Sequence, residues 1–407
     1  MALYQELNLE LTAEQEAIRE ETHKFSKEIL RPASIELDKL EAPEAVIKNP
    51  LFWDTMKKGY KLGYHTIFLP DTWGGIGLDP LEVHIVLEEL GWGSVDFTIG
   101  LGVASFPAFF SSLLPSDRLV EDIIIPFCGN EDASIVGCWG ITEPDHGTDT
   151  LCPGTPEFKD SRITGQTTAY LEGDEWVIEG QKSAWVSNGT IATHSLVFLT
   201  IDPSMGMSGG GIAIVPLDLP GVKKGRPLNK MGQRALNQGE IYFDKVRIPK
   251  DYMLVDPESY EMMLDITLST ANASMGAIFT GLARAAYEEA LGYAKKRVQG
   301  GKPLFEHQII KHKLFNMFMK IEAARQLSRA AIVYNMNNTP PLTQYSIASK
   351  VFCTNTAFEV CSEAVQIFGG NGVSREYSIE KFFRDARAGM IEDGANDSLM
   401  VTAAHQL

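Results

Sequence analysis

The hydrophobic pattern of the chain changes character twice. Ile18, Phe25 and Ile29 recur on one helical face after Thr12 and Gln15, which are spaced as a capping box, and Pro32 is expected to close that helix. A second helix is expected over about 80–90, with Val83, Val86, Leu87 and Leu90 inward. Trp73-Gly74-Gly75-Ile76-Gly77 before it reads as a tight loop. Residues 94–110 read as a third, more buried helix.

Near Ser134 the helical period gives way to short apolar runs between turn residues. Ala169 to Glu179 reads as a hairpin about Gly173-Asp174, and strands are expected over 195–200, 211–216 and 240–248. Residues 206–211 read as a flexible loop. Past Asp256 the helical period returns, with long helices expected over 262–299 (one or two), 307–336 and 343–369, enough for a bundle. The order is helices, strands, helices, an α+β chain in three domains: 1–126 helical, 127–248 β-rich and 249–407 a helical bundle.

Composition narrows the function. Hydrophobic residues at 44% supply large cores, and a net charge of −17 argues against nucleic acid and anionic membrane as partners. No stretch approaches a membrane-spanning length, so no membrane insertion is expected, and the N-terminus lacks the basic and apolar regions of a signal peptide. Five cysteines without a CxxC pair read as reduced thiols, with no metal and a cytoplasmic setting. Gly369, Gly370 and Gly372 do not follow an expected strand, which excludes a Rossmann fingerprint.

Five ordered segments carry the chemistry: Trp139-Gly140-Ile141-Thr142-Glu143-Pro144 with Gly147-Thr148-Asp149; Gly180 to Gly189; Lys230 to Ala235 with Phe243 to Pro249; Arg297 to Leu304 with Gln308; and Gln366-Ile367-Phe368-Gly369-Gly370-Asn371-Gly372 with Arg384 to Gly394. Together they resemble the acyl-CoA dehydrogenase family, flavoenzymes that desaturate thioesters of coenzyme A. The resemblance spans nearly the whole chain. It implies a helical N-terminal domain, a β-barrel-like middle domain and a C-terminal four-helix bundle. It also implies FAD as cofactor, an acyl-CoA substrate, an electron-transfer flavoprotein as acceptor, and a homotetramer with FAD at a dimer interface.

The resemblance assigns roles residue by residue. Trp139 opens the first motif, and backbone groups at Ile141 and Thr142 would face the flavin and stabilise its negative charge. Trp185 would lie against the isoalloxazine, and the Ser187 hydroxyl would point at flavin N5. Thr148 would keep a hydroxyl near the CoA path. Arg297, Gln299 and Gln308 correspond to a segment that holds the diphosphate and adenosine of a neighbouring subunit's FAD, where a guanidinium fork suits phosphate. Gln366, Gly369 and Gly370 would approach the same diphosphate. Two usual contacts are missing: Gly300 replaces a phenylalanine, and Ala395 a threonine.

The catalytic corner departs further. Asp393, before Gly394, stands where the family usually has its glutamate base, and Asn272 stands where it usually has an arginine. A base must lie within hydrogen-bond reach of the α-proton, and aspartate is one methylene shorter. Neighbouring Glu392 is an alternative base. Asp96 reads either as a first-turn complement to a helix capped by Ser94 or as a relocated base with a raised pKa in the acyl pocket. The resemblance favours proton abstraction by an aspartate from an alicyclic thioester such as cyclohex-1-ene-1-carboxyl-CoA, by 1,4-elimination. Ordinary α,β-dehydrogenation with Asp393, a nitroalkane-oxidase-like reaction, and a non-catalytic flavin- or CoA-binding protein stand as alternatives.

Overall fold

The computed structural model describes residues 7, 10–40 and 47–407. The first helix, α1 (Ala13–Phe25), starts at the expected capping box of Thr12 and Gln15. It does not end at Pro32. A π-helical turn, Ser26–Leu30, joins it to α2 (Arg31–Asp38), whose first turn holds the proline. There the missing N–H removes no needed bond, so the rod continues. After α3 (Pro50–Lys61), α4 (Pro80–Gly93) is capped by Asp79 and Glu82, and Val83, Val86, Leu87 and Leu90 are buried. The expected third helix is two, α5 (Val95–Ala104) and α6 (Phe106–Leu113), because Pro107 sits in the first turn of a new helix after Ser105.

The middle of the chain is one mixed sheet. Its strands are β1 (Gly137–Gly140), β2 (Thr168–Glu172), β3 (Glu175–Ser187), β4 (His194–Thr200), β5 (Gly210–Pro216), β6 (Val222–Pro227), β7 (Gln238–Pro249) and β8 (Met253–Val255). The order is β6-β7-β3-β2-β4-β5-β8, with β1 pairing in parallel to β4. The β2–β3 hairpin closes at Glu172 and Glu175, around Gly173-Asp174. Residues 206–209 are no open loop: they lie in a buried 3₁₀ segment leading into β5.

The remaining chain is helical: α7 (Tyr260–Lys296), α8 (Gln308–Asn337), α9 (Thr343–Phe368), α10 (Ile379–Gly389) and α11 (Asn396–Ala404). A two-stranded ribbon, β9 (Val298–Gln299) with β10 (Lys302–Pro303), joins α7 to α8. The N-terminal layer packs on α7 through paired glycines. A Cβ on Gly281 would lie 2.1 Å from the Glu88 carbonyl oxygen, and one on Gly91 would lie 2.2 Å from that of Ile278. Only a backbone without side chains allows that approach. Glu88, Glu89, Arg284 and Arg325 form a buried ion cluster at the same crossing. Among the described residues, no single helix is long and apolar enough to cross a membrane.

Candidate active site

A cavity of about 790 Å³ lies between the sheet and the turn that follows α10. One wall is the loop after β1. Its Glu143 is buried against Lys182 of β3, 2.6 Å away, and also accepts backbone N–H groups of Gln166 and Thr167. Lys182 donates to the Ile141 carbonyl at 3.1 Å, and the Ser183 N–H donates to that of Thr142 at 2.8 Å. These bonds hold Ile141 and Thr142 at the cavity surface.

The second element is a bulge in β3. The pairing with β7 passes from Lys182–Ile241 to Val186–Gly239, so β3 carries two more residues than its partner over this step. A bulge bends a strand and re-aims its side chains. Trp185 is thrown out to 58% exposure, facing the cavity. Ser187 also lines it, accepting from the Gln238 amide at 3.2 Å, while Lys230 donates to the Gln238 oxygen at 2.8 Å.

The third element is the turn at 391–395. Asp393 has φ +51 and Gly394 φ +100, left-handed geometry that an Asp-Gly pair tolerates. Three bonds hold this turn. Lys350 donates to the Gly394 carbonyl at 2.6 Å, the Ala395 N–H donates to Thr148 Oγ1 at 3.0 Å, and the Asn272 amide reaches the Asp393 carbonyl at 3.5 Å. Thr148 thus ties this turn to the loop after β1. Asp393, Glu392 and Gly394 all line the cavity, whereas Asn272 lies behind the turn.

Burial pushes Asp393 up to about 6, against the opposing pull of the Lys350 charge. Glu392 is pushed up to about 8 by burial and by the charge of Asp393, with Lys230 and Gln233 opposing. Lys350 is lowered to about 8 by burial, with Asp393 and Glu392 working the other way. Both adjacent carboxyls are thus pushed up, Glu392 further than Asp393, because burial and their mutual charge disfavour ionising both.

Asp96 lies outside the cavity lining. Its side chain is fully buried beneath the 229–238 loop, accepting from Ser34, Ser94 and the backbone N–H of Phe97 and Ala235, with Lys381 at 3.4 Å. Burial alone would raise its pKa, but the Lys381 charge and these donors outweigh burial and lower it. The raised pKa expected for a pocket base is not found. Ser94 does cap α5, as expected.

The sequence-assigned residues fall into two groups. Trp139, Ile141, Thr142, Thr148, Trp185, Ser187, Asp393 and Gly394 share the cavity. Arg297, Gln299, Gln308, Gln366, Gly369 and Gly370 do not line it and are exposed. Arg297 follows α7 one turn after Tyr293, whose ring stacks on Phe368, so Arg297 and Gly369 share one end of the bundle. Sequence reasoning overlooked Lys230, Gln233 and Gln238, which line the cavity, and Lys350, which holds its turn. Lys230 and Gln233 belong to the third motif, which carries no site assignment from sequence, and their signal depends on a fold that brings residue 230 and residue 392 to one cavity.

The arrangement is a cavity walled by aromatic side chains and holding two carboxyls. Three family models match the chain: the acyl-CoA dehydrogenase N-terminal domain over 12–110, the middle domain over 138–246 and the C-terminal domain over 265–407. The chain is 32% identical to the probable acyl-CoA dehydrogenase YngJ of Bacillus subtilis (strain 168), covering 98% of this chain and 100% of that protein. It is 30% identical to the mitochondrial short-chain specific acyl-CoA dehydrogenase of Rattus norvegicus, covering 98% and 92%. Butyryl-CoA dehydrogenase from Megasphaera elsdenii superposes with a TM-score of 0.85 at 28% identity, covering 98% and 99%. The chain belongs to the acyl-CoA dehydrogenase family.

Members of this family bind FAD, and the residues present fit it. Trp185 offers an uncovered indole at the cavity, and the buried Trp139 Nε1 has no partner among the described residues. A large flat apolar ring with polar edges suits both.

Proposed function

We propose that this chain oxidises an acyl-CoA by α,β-dehydrogenation with Asp393 as base. The observation that carries this is the position of Asp393: it lines the same cavity as Trp185 and Ser187, on a turn held by three hydrogen bonds. FAD, when bound, supplies a two-electron acceptor for the β-hydride. Asp393 takes the α-proton onto its carboxylate as the hydride leaves, so a carbon–carbon double bond replaces two C–H bonds. Backbone groups at Ile141 and Thr142, Trp185 and Ser187 would hold the flavin ring. Arg297, Gln299, Gln308, Gln366, Gly369 and Gly370 would reach the diphosphate and adenosine across a contact between copies of the chain. A homotetramer and an electron-transfer flavoprotein as acceptor follow from the family reading.

A 1,4-elimination of an alicyclic thioester with Asp96, rather than Asp393, as base needs Asp96 at the substrate. Its two oxygens already accept five groups beneath the floor, which favours the α,β reading. The test is anaerobic mixing of the FAD-loaded protein with butyryl-CoA, cyclohex-1-ene-1-carboxyl-CoA and nitroethane. Butyryl-CoA is expected to bleach the flavin, with Asp393→Asn slower by at least about a hundredfold. Bleaching by nitroethane alone, or undiminished bleaching in Asp393→Asn, would refute the proposal.

A further inference from the structure

Beside Asp393 the cavity holds a second carboxyl that proton abstraction does not use. Glu392 lines the chamber, yet its Oε1 is buried and has no partner among the described residues. The Lys230 ammonium donates to the Leu236 carbonyl and to Gln238, both at 2.8 Å, and closes no ion pair with Glu392 among the described residues. Gln233 is held by Asp385, through its backbone N–H at 2.5 Å and its side-chain amide at 3.3 Å, and its side chain also bonds the Glu392 carboxyl, so Oε1 is the oxygen left over. A buried carboxyl oxygen left without a partner costs stability, and native proteins retain such groups chiefly where function requires them.

The rest of the chamber sharpens the contrast. Ile99, Leu151 and Val186 add an apolar lining suited to a hydrocarbon chain. A plain alkyl group would cover Glu392 Oε1 without bonding it. A substituent carrying an O–H or N–H would supply the missing donor.

We infer that Glu392 is a specificity-determining residue, and that the acyl group taken by this chain carries a hydrogen-bond donor, a hydroxyl or an amine, beyond its β-carbon. This rests on the dehydrogenase reading above and names the substrate class for it. Its raised pKa fits the same role. A carboxyl that is largely protonated when the cavity is empty can bond a hydroxyl in either direction, and an ammonium group would draw off its proton and form an ion pair. Lys230, Lys350 and Asp393 are the charged groups that face it.

The experiment compares plain, ω-hydroxy and ω-amino acyl-CoA thioesters of matched length, short to medium chain, with the FAD-loaded protein. It reads kcat and KM for flavin reduction, and calorimetric binding to Asp393→Asn. The polar thioesters are expected to exceed the plain ones by about tenfold or more in kcat/KM, mainly through KM, and to bind Asp393→Asn correspondingly tighter. The hydroxy and amino arms identify which donor is read. Glu392→Leu should collapse the polar-to-plain ratio by about the same factor, and Glu392→Gln should restore much of it for the hydroxy series. A wild-type protein that reduces flavin with plain thioesters and shows no polar preference overturns this inference while leaving the dehydrogenase reading intact. A polar-to-plain ratio unchanged in Glu392→Leu does the same. Loss of flavin reduction with every thioester in both Glu392 variants would make Glu392 the base and overturn the inference. Failure of the wild type with all thioesters would remove both readings.

Discussion

A carboxylate can serve as base only when ionised, and Asp393 bears on activity and stability in opposite directions. An unfolded aspartate titrates near 3.9, whereas burial raises the folded group to about 6. A raised acid contributes stability below its unfolded pKa and loses it as pH rises through the folded value. The rate of flavin reduction should therefore climb as pH passes through about 6, while stability declines across the same window. Asp393→Asn should remove the decline, gaining at most about 3 kcal/mol at pH 7.5 and little at pH 4, by urea unfolding at the two pH values. Asp96 makes the contrasting case. Its lowered pKa and its bonds to Ser34, Ala235 and Lys381 mark it as a fastener between α5, the 229–238 loop and α10. Asp96→Ala leaves the Ala235 N–H without its buried acceptor and Lys381 with Asp385 alone, and should cost about 1–3 kcal/mol, read from the denaturant midpoint. The Asp96 ambiguity could not be resolved from sequence because the deciding partner, Lys381, lies 285 positions away.

At the scale of elements, the long helices were legible because a 3.6-residue period persists over many turns. The expected helix at 343–369 and the observed α9 (Thr343–Phe368) differ by one residue at the C-terminal end. Short strands were not legible. β1 is buried at all four positions and shows no alternation, and β8 has only three residues. Pro32 misled because a proline stops a helix only where its N–H is needed, and the π turn before it removes that need. The bulge in β3 left no mark in the hydrophobic pattern, although it aims Trp185. Glycines in α7 allow a paired test. Gly281→Ala places a Cβ against backbone of α4 on several sides and should destabilise by about 1–3 kcal/mol. Gly292→Ala, with nothing within 4 Å of the new Cβ, should stabilise by about 0.5–1 kcal/mol. Thermal unfolding of the two variants should move in opposite directions.

At the scale of the whole molecule, one chain leaves too much apolar surface in water. On α8, Ile309, Phe315 and Met319 are 62%, 61% and 49% exposed, and on α9, Tyr345 is 53% exposed. Large apolar side chains left exposed on bundle helices are the material of contact surfaces. Gln308, assigned to the cofactor, directly precedes Ile309 at the start of α8. Association through this face would bring Arg297 and Gln308 of one copy toward the flavin of another, so assembly and FAD retention should fail together. Phe315→Glu puts a charge into that face at a position where the side chain is mostly exposed in the single chain, so folding of the monomer should survive. Sedimentation velocity should then show smaller species than wild type, with FAD affinity weakened by about tenfold or more. An unchanged sedimentation coefficient with full FAD retention would mean that α8 faces solvent and that a single chain holds its cofactor alone. The net charge of −17 gives a further handle: like-charged copies repel, and added salt screens that repulsion, so salt should strengthen any association driven by apolar burial. Weakening by salt would instead mark an interface held by ion pairs.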